Sequence, residues 1–257
     1  MKLLDREVVL KALVGSWNYN LGIEEDIIVE DDKIIKASDK DYKALVLPNF
    51  NELYKGERFK NATITDTVDY EIHDVRKMPE LFWKANLSYL EMLFSKDLWI
   101  SGNPEMQEIY NLRHEIFNMN LPKMYDALGG TFRHKMGLLN KATEGTQYLV
   151  DQFGYDVKQA QHAYRFINFG VRYEETGFKD PETALRYIDD DLDFMHTIKT
   201  GFFLQENFER FANFYYESAF IHLEEKYKSQ PVNTELKVHL DELVMSLVEK
   251  SIVKGCA

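Results

Sequence analysis

Two carboxylates spaced two residues apart are the first groups in this chain that could do chemistry: Ser38-Asp39-Lys40-Asp41 runs into the mainly apolar Tyr42-Lys43-Ala44-Leu45-Val46-Leu47-Pro48. On a strand, alternate positions share a face, so Asp39 and Asp41 would be able to bind one divalent cation. Two hard oxygen ligands suit Mg²⁺, with Mn²⁺ as a substitute. Such an ion takes one or two carboxylates and completes its shell with water and substrate phosphates. The other acidic runs fail this test. Asp189-Asp190-Asp191 and Asp193 fall in a helical stretch, where positions two apart are turned by about 200°. Asp31-Asp32 read as a hairpin turn. An Asp-x-Asp alone is more often an exposed acidic turn, so neighbouring segments must decide its meaning.

Three segments bear on it. Gly15-Ser16 closes the apolar run Val8–Val14, and a small, permissive turn there can bring backbone N–H groups and a hydroxyl to a phosphate. Asp69, Glu71 and His73 share one face of an alternating stretch, opposite Val68, Tyr70 and Ile72; that face is either solvated or catalytic. Farther on, Asp156 with Gln159 forms a capping-box pattern. Lys158, His162 and Arg165 then follow at i, i+4 and i+7, beside an apolar stripe of Val157, Ala160, Tyr164, Ile167 and Val171. This basic stripe is either a solvated face or a phosphate grip in which Arg165 binds two oxygens, Lys158 acts as a point charge and His162 touches phosphate, base or a proton. Trp17 and Tyr19 either stack on a nucleobase or pack against the sheet.

The elements that must position these groups divide by composition. Short β-rich runs occupy the first hundred residues: Val8–Val14, Ile27–Val29, Ile34-Ile35, Tyr42–Leu47 and a long strand Thr63–His73, followed by a helix from Pro79 to about Phe94. Amphipathic helical stretches then take over, roughly 105–118, 131–153, 156–176, 181–199, 202–228 and 232–253. The expected fold is α+β, a small mixed-sheet domain over 1–102 followed by an all-helical domain over 103–257. The aromatic clusters from Phe202 to Phe220 read as core or as the surface of a homo-oligomer. In 257 residues there are 31 Lys+Arg and 43 Asp+Glu, a net charge of −12. That excess repels a long nucleic-acid track. The one cysteine, Cys256, excludes a disulfide scaffold, and no apolar run reaches membrane-spanning length, so a soluble cytoplasmic protein with no membrane partner is expected.

Taken together, Gly15-Ser16-Trp17-Asn18-Tyr19-Asn20-Leu21-Gly22, Ser38-Asp39-Lys40-Asp41 and the acidic strand resemble the DNA polymerase β-type nucleotidyltransferase superfamily. Within it, Asp69-Tyr70-Glu71-Ile72-His73-Asp74-Val75-Arg76-Lys77 and Gly154–Arg165, a Tyr-Asp-x-Lys-x-Ala-x-His-x-x-Arg segment, look most like the RlaP/YcgL-like nucleotidyltransferases, often phage-encoded. The resemblance spans positions 15 to about 170. It implies Mg-dependent transfer of a nucleoside monophosphate from an NTP, with the helical domain completing the cleft. Asp39, Asp41 and Asp69 would hold metal, either Asp69 or Glu71 would be the third catalytic carboxylate, and Gly15, Ser16, Tyr19, Lys158, His162 and Arg165 would bind nucleotide. The acceptor would be an RNA end, in RNA repair or tRNA modification, or else a protein or small molecule; a non-catalytic nucleotide-binding protein is the remaining alternative. One departure from the family is an inserted hairpin over residues 25–37.

Overall fold

The computed structural model describes residues 1–64 and 68–255. It is α+β, with a curled mixed sheet and a helical C-terminal region. Among the described residues eight strands form in chain order: β1 (Lys2–Leu3), β2 (Arg6–Val14), β3 (Ile27–Ile28), β4 (Ile34–Ile35), β5 (Lys40–Val46), β6 (Lys60–Ile64), β7 (Val68–Asp74) and β8 (Leu98–Ile100). The main sheet runs β1-β2-β5-β7-β6, with β8 also on β2, while β3 and β4 pair separately. Among the described residues only β5 and β7 are parallel; the other pairings are antiparallel. Val8, Ala44, Val46 and Ile72 form a buried cluster on one sheet face, with Leu3, Phe59, Tyr70 and Trp99 packed around it. Alternation of side chains along β5 and β7 therefore leaves Asp41, Lys43, Asp69, Glu71 and His73 on the opposite face.

The helices are α1 (Phe50–Lys55), α2 (Met78–Trp83), α3 (Leu87–Leu90), α4 (Pro104–Asn111), α5 (Arg113–Asn118), α6 (Leu121–Met136), α7 (Gln147–Phe153), α8 (Val157–Glu175), α9 (Pro181–Leu185), α10 (Asp189–Lys199), α11 (Gln205–Tyr215), α12 (Glu224–Lys228) and α13 (Thr234–Gly255). None of them is long and apolar enough to cross a membrane. The contact pattern makes two compact units. One comprises Met1–Asn18, Asp39–Leu121 and Pro231–Ala257, and the other Tyr19–Ser38 and Pro122–Gln230. They are not the consecutive blocks 1–102 and 103–257: α13 returns to the sheet-bearing unit, and the 25–37 hairpin belongs with the helices. The reason for the first is visible at Glu105, whose buried carboxylate takes hydrogen bonds from Ser246 Oγ at 3.0 Å and from the Lys250 ammonium, both on α13.

Several expected elements change on folding. The stretch Thr63–His73 is not one strand. β6 and β7 are antiparallel partners, with Ile64 opposite Asp69 and Lys60 opposite His73, and residues 65–67 between them lie outside the described residues, as does Cys256. The helix expected from Pro79 to Phe94 breaks at Ala85, which takes a φ of 51°, and resumes as α3 and a 3₁₀ turn over Glu91–Phe94. The stretch 131–153 divides between the end of α6 and α7, and 181–199 divides at Arg186–Ile188. α1, β1 and β8 have too few residues to announce themselves by periodicity.

In the helical unit, α8 is central: Ile167, Phe169 and Tyr173 are fully or almost fully buried. Gly170 has a packing reason to lack a side chain, because a Cβ there would stand 2.8 Å from Phe220 Cε2. Phe220, on the π-helical segment Tyr216–Phe220 after α11, stacks on Tyr125 at 4.7 Å between centroids, and Tyr227 Oη donates to the Gly170 carbonyl at 2.7 Å. Replacing Phe220 with Ala should therefore remove about 3–5 kcal/mol of unfolding free energy, as for other buried large-to-small aromatic truncations. Urea denaturation measures it, and a loss below about 1 kcal/mol would show that this ring is not a core support.

Candidate active site

The turn after β2 is built from β2 outward. Val14 ends the strand opposite Asp41 of β5, and Gly15 then adopts a φ of 70°, a left-handed conformation that glycine enters without penalty. A Cβ at Gly15 would lie 2.9 Å from Asp41 Oδ2, so the absence of a side chain also lets the turn close on that carboxylate. The Gly15 N–H donates to Glu91 Oε2 at 3.2 Å, and Asn18 Nδ2 donates to the same oxygen at 3.2 Å. Asn18 Oδ1 in turn accepts from Lys96 N at 3.1 Å. Asn18 and Glu91 are buried. Gly15 is thus a steric and anchoring residue, its N–H directed to Glu91 and not outward to a phosphate, while Ser16 follows on the turn at a half-buried position. Glu91 and Asn18 escape sequence reasoning because a Glu in an amphipathic stretch ordinarily reads as solvent-facing.

The carboxylates gather differently from the expected pairing. β5 begins at Lys40, so Asp39 precedes the strand and is exposed, outside the alternation that would align it with Asp41. The same-face neighbour of Asp41 is instead Asp69, its direct register partner across the parallel β5–β7 ladder. Parallel strands lie about 4.8 Å apart, a spacing over which two carboxylates can share an ion. Among the described residues no three His, Cys, Asp or Glu side chains form a group that could hold a metal. The donor set at Asp41 and Asp69, with Asp39 nearby in sequence, consists of hard oxygens and fits Mg²⁺ in its usual mode, one or two carboxylates with the other positions left to water and phosphate oxygens.

Glu71 stands two residues along β7 from Asp69 and is held by basic partners. Its carboxylate is paired with the Lys43 ammonium, its Oε1 lies 2.7 Å from His73 Nε2, and Lys60 Nζ approaches to 3.8 Å. The hydrogen bond with His73, and then Lys43, keeps the Glu71 carboxyl well below the ordinary carboxylate range despite burial. Tyr89 Oη sits 3.4 Å from Glu71 Oε1, and burial together with that charge pushes its phenol up to about 12. Lys43 and Glu71 are also cross-strand register partners, so the pair ties β5 to β7.

In the helical unit the basic stripe descends from solvent into the interior. Asp156 caps α8 by accepting from Gln159 N at 3.0 Å, but Gln159 Oε1 is buried without a hydrogen bond, so the reciprocal half of the capping box is absent. Lys158 is exposed, His162 half-buried and Arg165 buried. The Arg165 guanidinium lies 3.8 Å from the centre of the Tyr19 ring. Tyr19 is itself buried with this face covered, which places it as packing and not as a platform for a base. Two lysines without a sequence signal join the stripe. Lys199 at the end of α10 is buried and donates to the Leu21 carbonyl and to Ser38 Oγ, each at 2.9 Å. Burial and the charge of Lys158 lower its pKa to about 8. Lys135 near the end of α6 is likewise pulled down by burial and by Arg165. His162 falls well below its ordinary value through burial and then through Arg165, Lys135, Lys158 and Lys199, which leaves the imidazole neutral near pH 7.

A scan against known protein-family models finds no match to this chain, and a comparison with curated proteins finds none either.

The Glu71 network makes acid stability a direct readout. Its folded pKa lies below the ordinary 4.5, so its contribution is complete above that value and drains away as pH falls from there through the folded value. Urea midpoints measured from pH 6 downward should therefore fall less steeply below about pH 4.5 in Glu71→Gln than in the wild type. Parallel curves would mean that the Lys43–Glu71–His73 cluster adds nothing to stability.

Proposed function

We propose that this protein is a Mg-dependent nucleotidyltransferase of the DNA polymerase β type, moving a nucleoside monophosphate from an NTP to an acceptor hydroxyl or phosphate with release of pyrophosphate. The observation that carries this reading is the register pairing of Asp41 with Asp69 on parallel strands, with the Gly15 turn closed against Asp41. A sequence-level resemblance to the RlaP/YcgL-like group points the same way.

Asp41 and Asp69 would hold the divalent cation, with Asp39 at the mouth of β5. A cation bound there would neutralise charge on the phosphates and on the attacking and leaving oxygens. Asp69 takes the part of the third carboxylate, since Glu71 is committed to Lys43 and His73. It would accept the proton of an attacking hydroxyl while the bond from the α-phosphorus to the bridging oxygen breaks and pyrophosphate leaves. Ser16, on the turn beside Asp41, would offer its hydroxyl to the outer phosphates. The net charge of −12 favours a compact acceptor, such as a small molecule, a protein side chain or a short RNA end, over a long polynucleotide track.

Labelled NTPs incubated with separate pools of metabolites, protein and RNA should label one pool in a Mg²⁺-dependent way. Asp41→Asn and Asp69→Asn should each lower the rate by on the order of 10²–10³-fold or more, whereas Glu71→Gln should retain activity within about tenfold. Full activity in either aspartate variant would sink the assignment, and so would the absence of pyrophosphate release with every NTP.

A further inference from the structure

Within the helical unit one lysine and one serine meet with no acid between them. Lys199, the last residue of α10, is buried, and its Nζ lies 2.9 Å from Ser38 Oγ and 2.9 Å from the Leu21 carbonyl oxygen. Among the described residues the ion pairs of this unit leave it out, since they fall at Lys33–Asp31, Arg172–Asp191, Arg186–Glu182, Lys226–Glu174 and Lys228–Asp126. Both partners are fixed by backbone hydrogen bonds. Ile23 N donates to Ser38 Oγ at 3.1 Å, and Ser38 N donates to the Ile23 carbonyl at 2.8 Å. On the other side α10 closes directly after Lys199, where Gly201, at a φ of 71°, donates to the Ile198 carbonyl at 3.2 Å. Ser38 itself is half-buried, beside exposed Ala37 and Asp39.

Burying an ammonium without a carboxylate is unfavourable, because the lost hydration is not replaced by an opposite charge. A neutral side-chain donor would tie α10 to the 19–38 segment without that cost. What a lysine adds is a proton that it gives up readily once buried, which turns it from a donor into a base. Burial, and then the charge of Lys158, lowers the Lys199 pKa to about 8. The other titratable groups that its charge reaches are His162 of α8 and His196, one turn back on α10. At 2.9 Å the amine is within the distance over which a base takes the proton of a nucleophile.

We propose that Ser38 and Lys199 form a nucleophile–base pair that takes the acyl group of an ester onto the serine oxygen and hydrolyses it. Serine paired with lysine performs the chemistry of a Ser-His-Asp triad with a single base. Ser38 Oγ attacks the carbonyl carbon of the ester while its proton passes to the neutral Lys199 Nζ. The Ile23 N–H, already directed at Oγ, meets the negative charge that develops there. The bond from carbon to the alcohol oxygen then breaks, and that oxygen takes the proton from Nζ and leaves as the alcohol. Water, losing a proton to Nζ, attacks the acyl carbon; Oγ recovers the proton, and the acyl group departs as a carboxylic acid. An ester suits the pair better than an amide, because its leaving oxygen departs more easily than nitrogen and no third group supports the lysine. All four residues, Leu21, Ile23, Ser38 and Lys199, belong to one compact unit, and the inference does not rest on the transferase reading.

Labelling of the full chain with a fluorophosphonate, mapped by peptide mass spectrometry, tests it, and turnover of p-nitrophenyl acetate gives a second readout. The probe should modify Ser38 in the folded chain, and Ser38→Ala should lose both the label and the turnover. Lys199→Arg separates a base from a tether, because arginine keeps a cation and donors at the position but does not give up its proton. If Lys199 is the base, labelling in that variant should be slower by about 10²-fold or more, whereas a tether predicts little change. Circular dichroism shows whether the variant is folded. Should it not fold, the wild-type chain decides: its labelling rate should rise about tenfold per pH unit up to about pH 8 and level off above, as Lys199 loses its proton. No label at Ser38, full labelling in folded Lys199→Arg, or a rate that does not level off near pH 8 overturns the proposal.

Discussion

Two parallel strands in register carry equivalent side chains to one face at adjacent positions, and β5 and β7 keep that register over seven residue pairs, from Lys40 with Val68 to Val46 with Asp74. Everything proposed for the sheet-bearing unit depends on it. A slip of one residue would send Asp69 to the opposite face and bring a neighbouring side chain beside Asp41. The register is held from both faces of the sheet. On one, Ile72 packs into the cluster of Ala44, Val46 and Val8; on the other, Lys43 and Glu71 form a charged cross-strand pair that His73 and Tyr89 support. β6 covers the far edge of β7. The Gly15 turn completes the arrangement from β2, where a missing side chain and a hydrogen bond to Glu91 allow the backbone to lie against Asp41.

Buried and half-buried charges are handled by different partners in the two units. In the sheet-bearing unit three carboxylates are matched by donors: Glu91 accepts from Gly15 N and Asn18 Nδ2, Glu105 is met by Lys250 and Ser246, and Glu71 is met by Lys43 and His73. Such groups lock a conformation, and removing one partner costs more than the pair contributes in net terms. In the helical unit the pKa values of Lys135 and Lys199 are pulled down, first by burial and then by neighbouring positive charge, because both disfavour the ammonium form.

The legible part of this chain was local. β2 and its Gly-Ser turn, β5, the small β3–β4 hairpin, α8 with its Asp156 cap, and the absence of strands beyond the Gly102-Asn103-Pro104 turn among the described residues follow from alternation, helical spacing and turn chemistry. Where reading failed, the competing term was tertiary. The alternating stretch Thr63–His73 satisfies a strand pattern whether or not the chain reverses within it, and pairing of β6 with β7 decided that it does. The spacing of Asp39 and Asp41 holds only if both belong to the strand, and β5 starts between them. Tyr19, beside a polar turn, carries no mark of burial until Arg165 lies across its ring.

The amino-acid sequence alone determined the α+β class, the acidic balance, the candidate acids Asp39, Asp41, Asp69 and Glu71, and the basic stripe of α8, because residue type and spacing within one element are local properties. Tertiary structure decided how those candidates divide. Asp69 was brought beside Asp41 and Glu71 was neutralised by Lys43, and Lys135 and Lys199 were delivered to the stripe from helices more than twenty residues away along the chain. The reason is the same in each case. Which carboxylates share a register position, and which is engaged by basic partners, depends on neighbours contributed by other strands and helices, and no spacing within one segment encodes them.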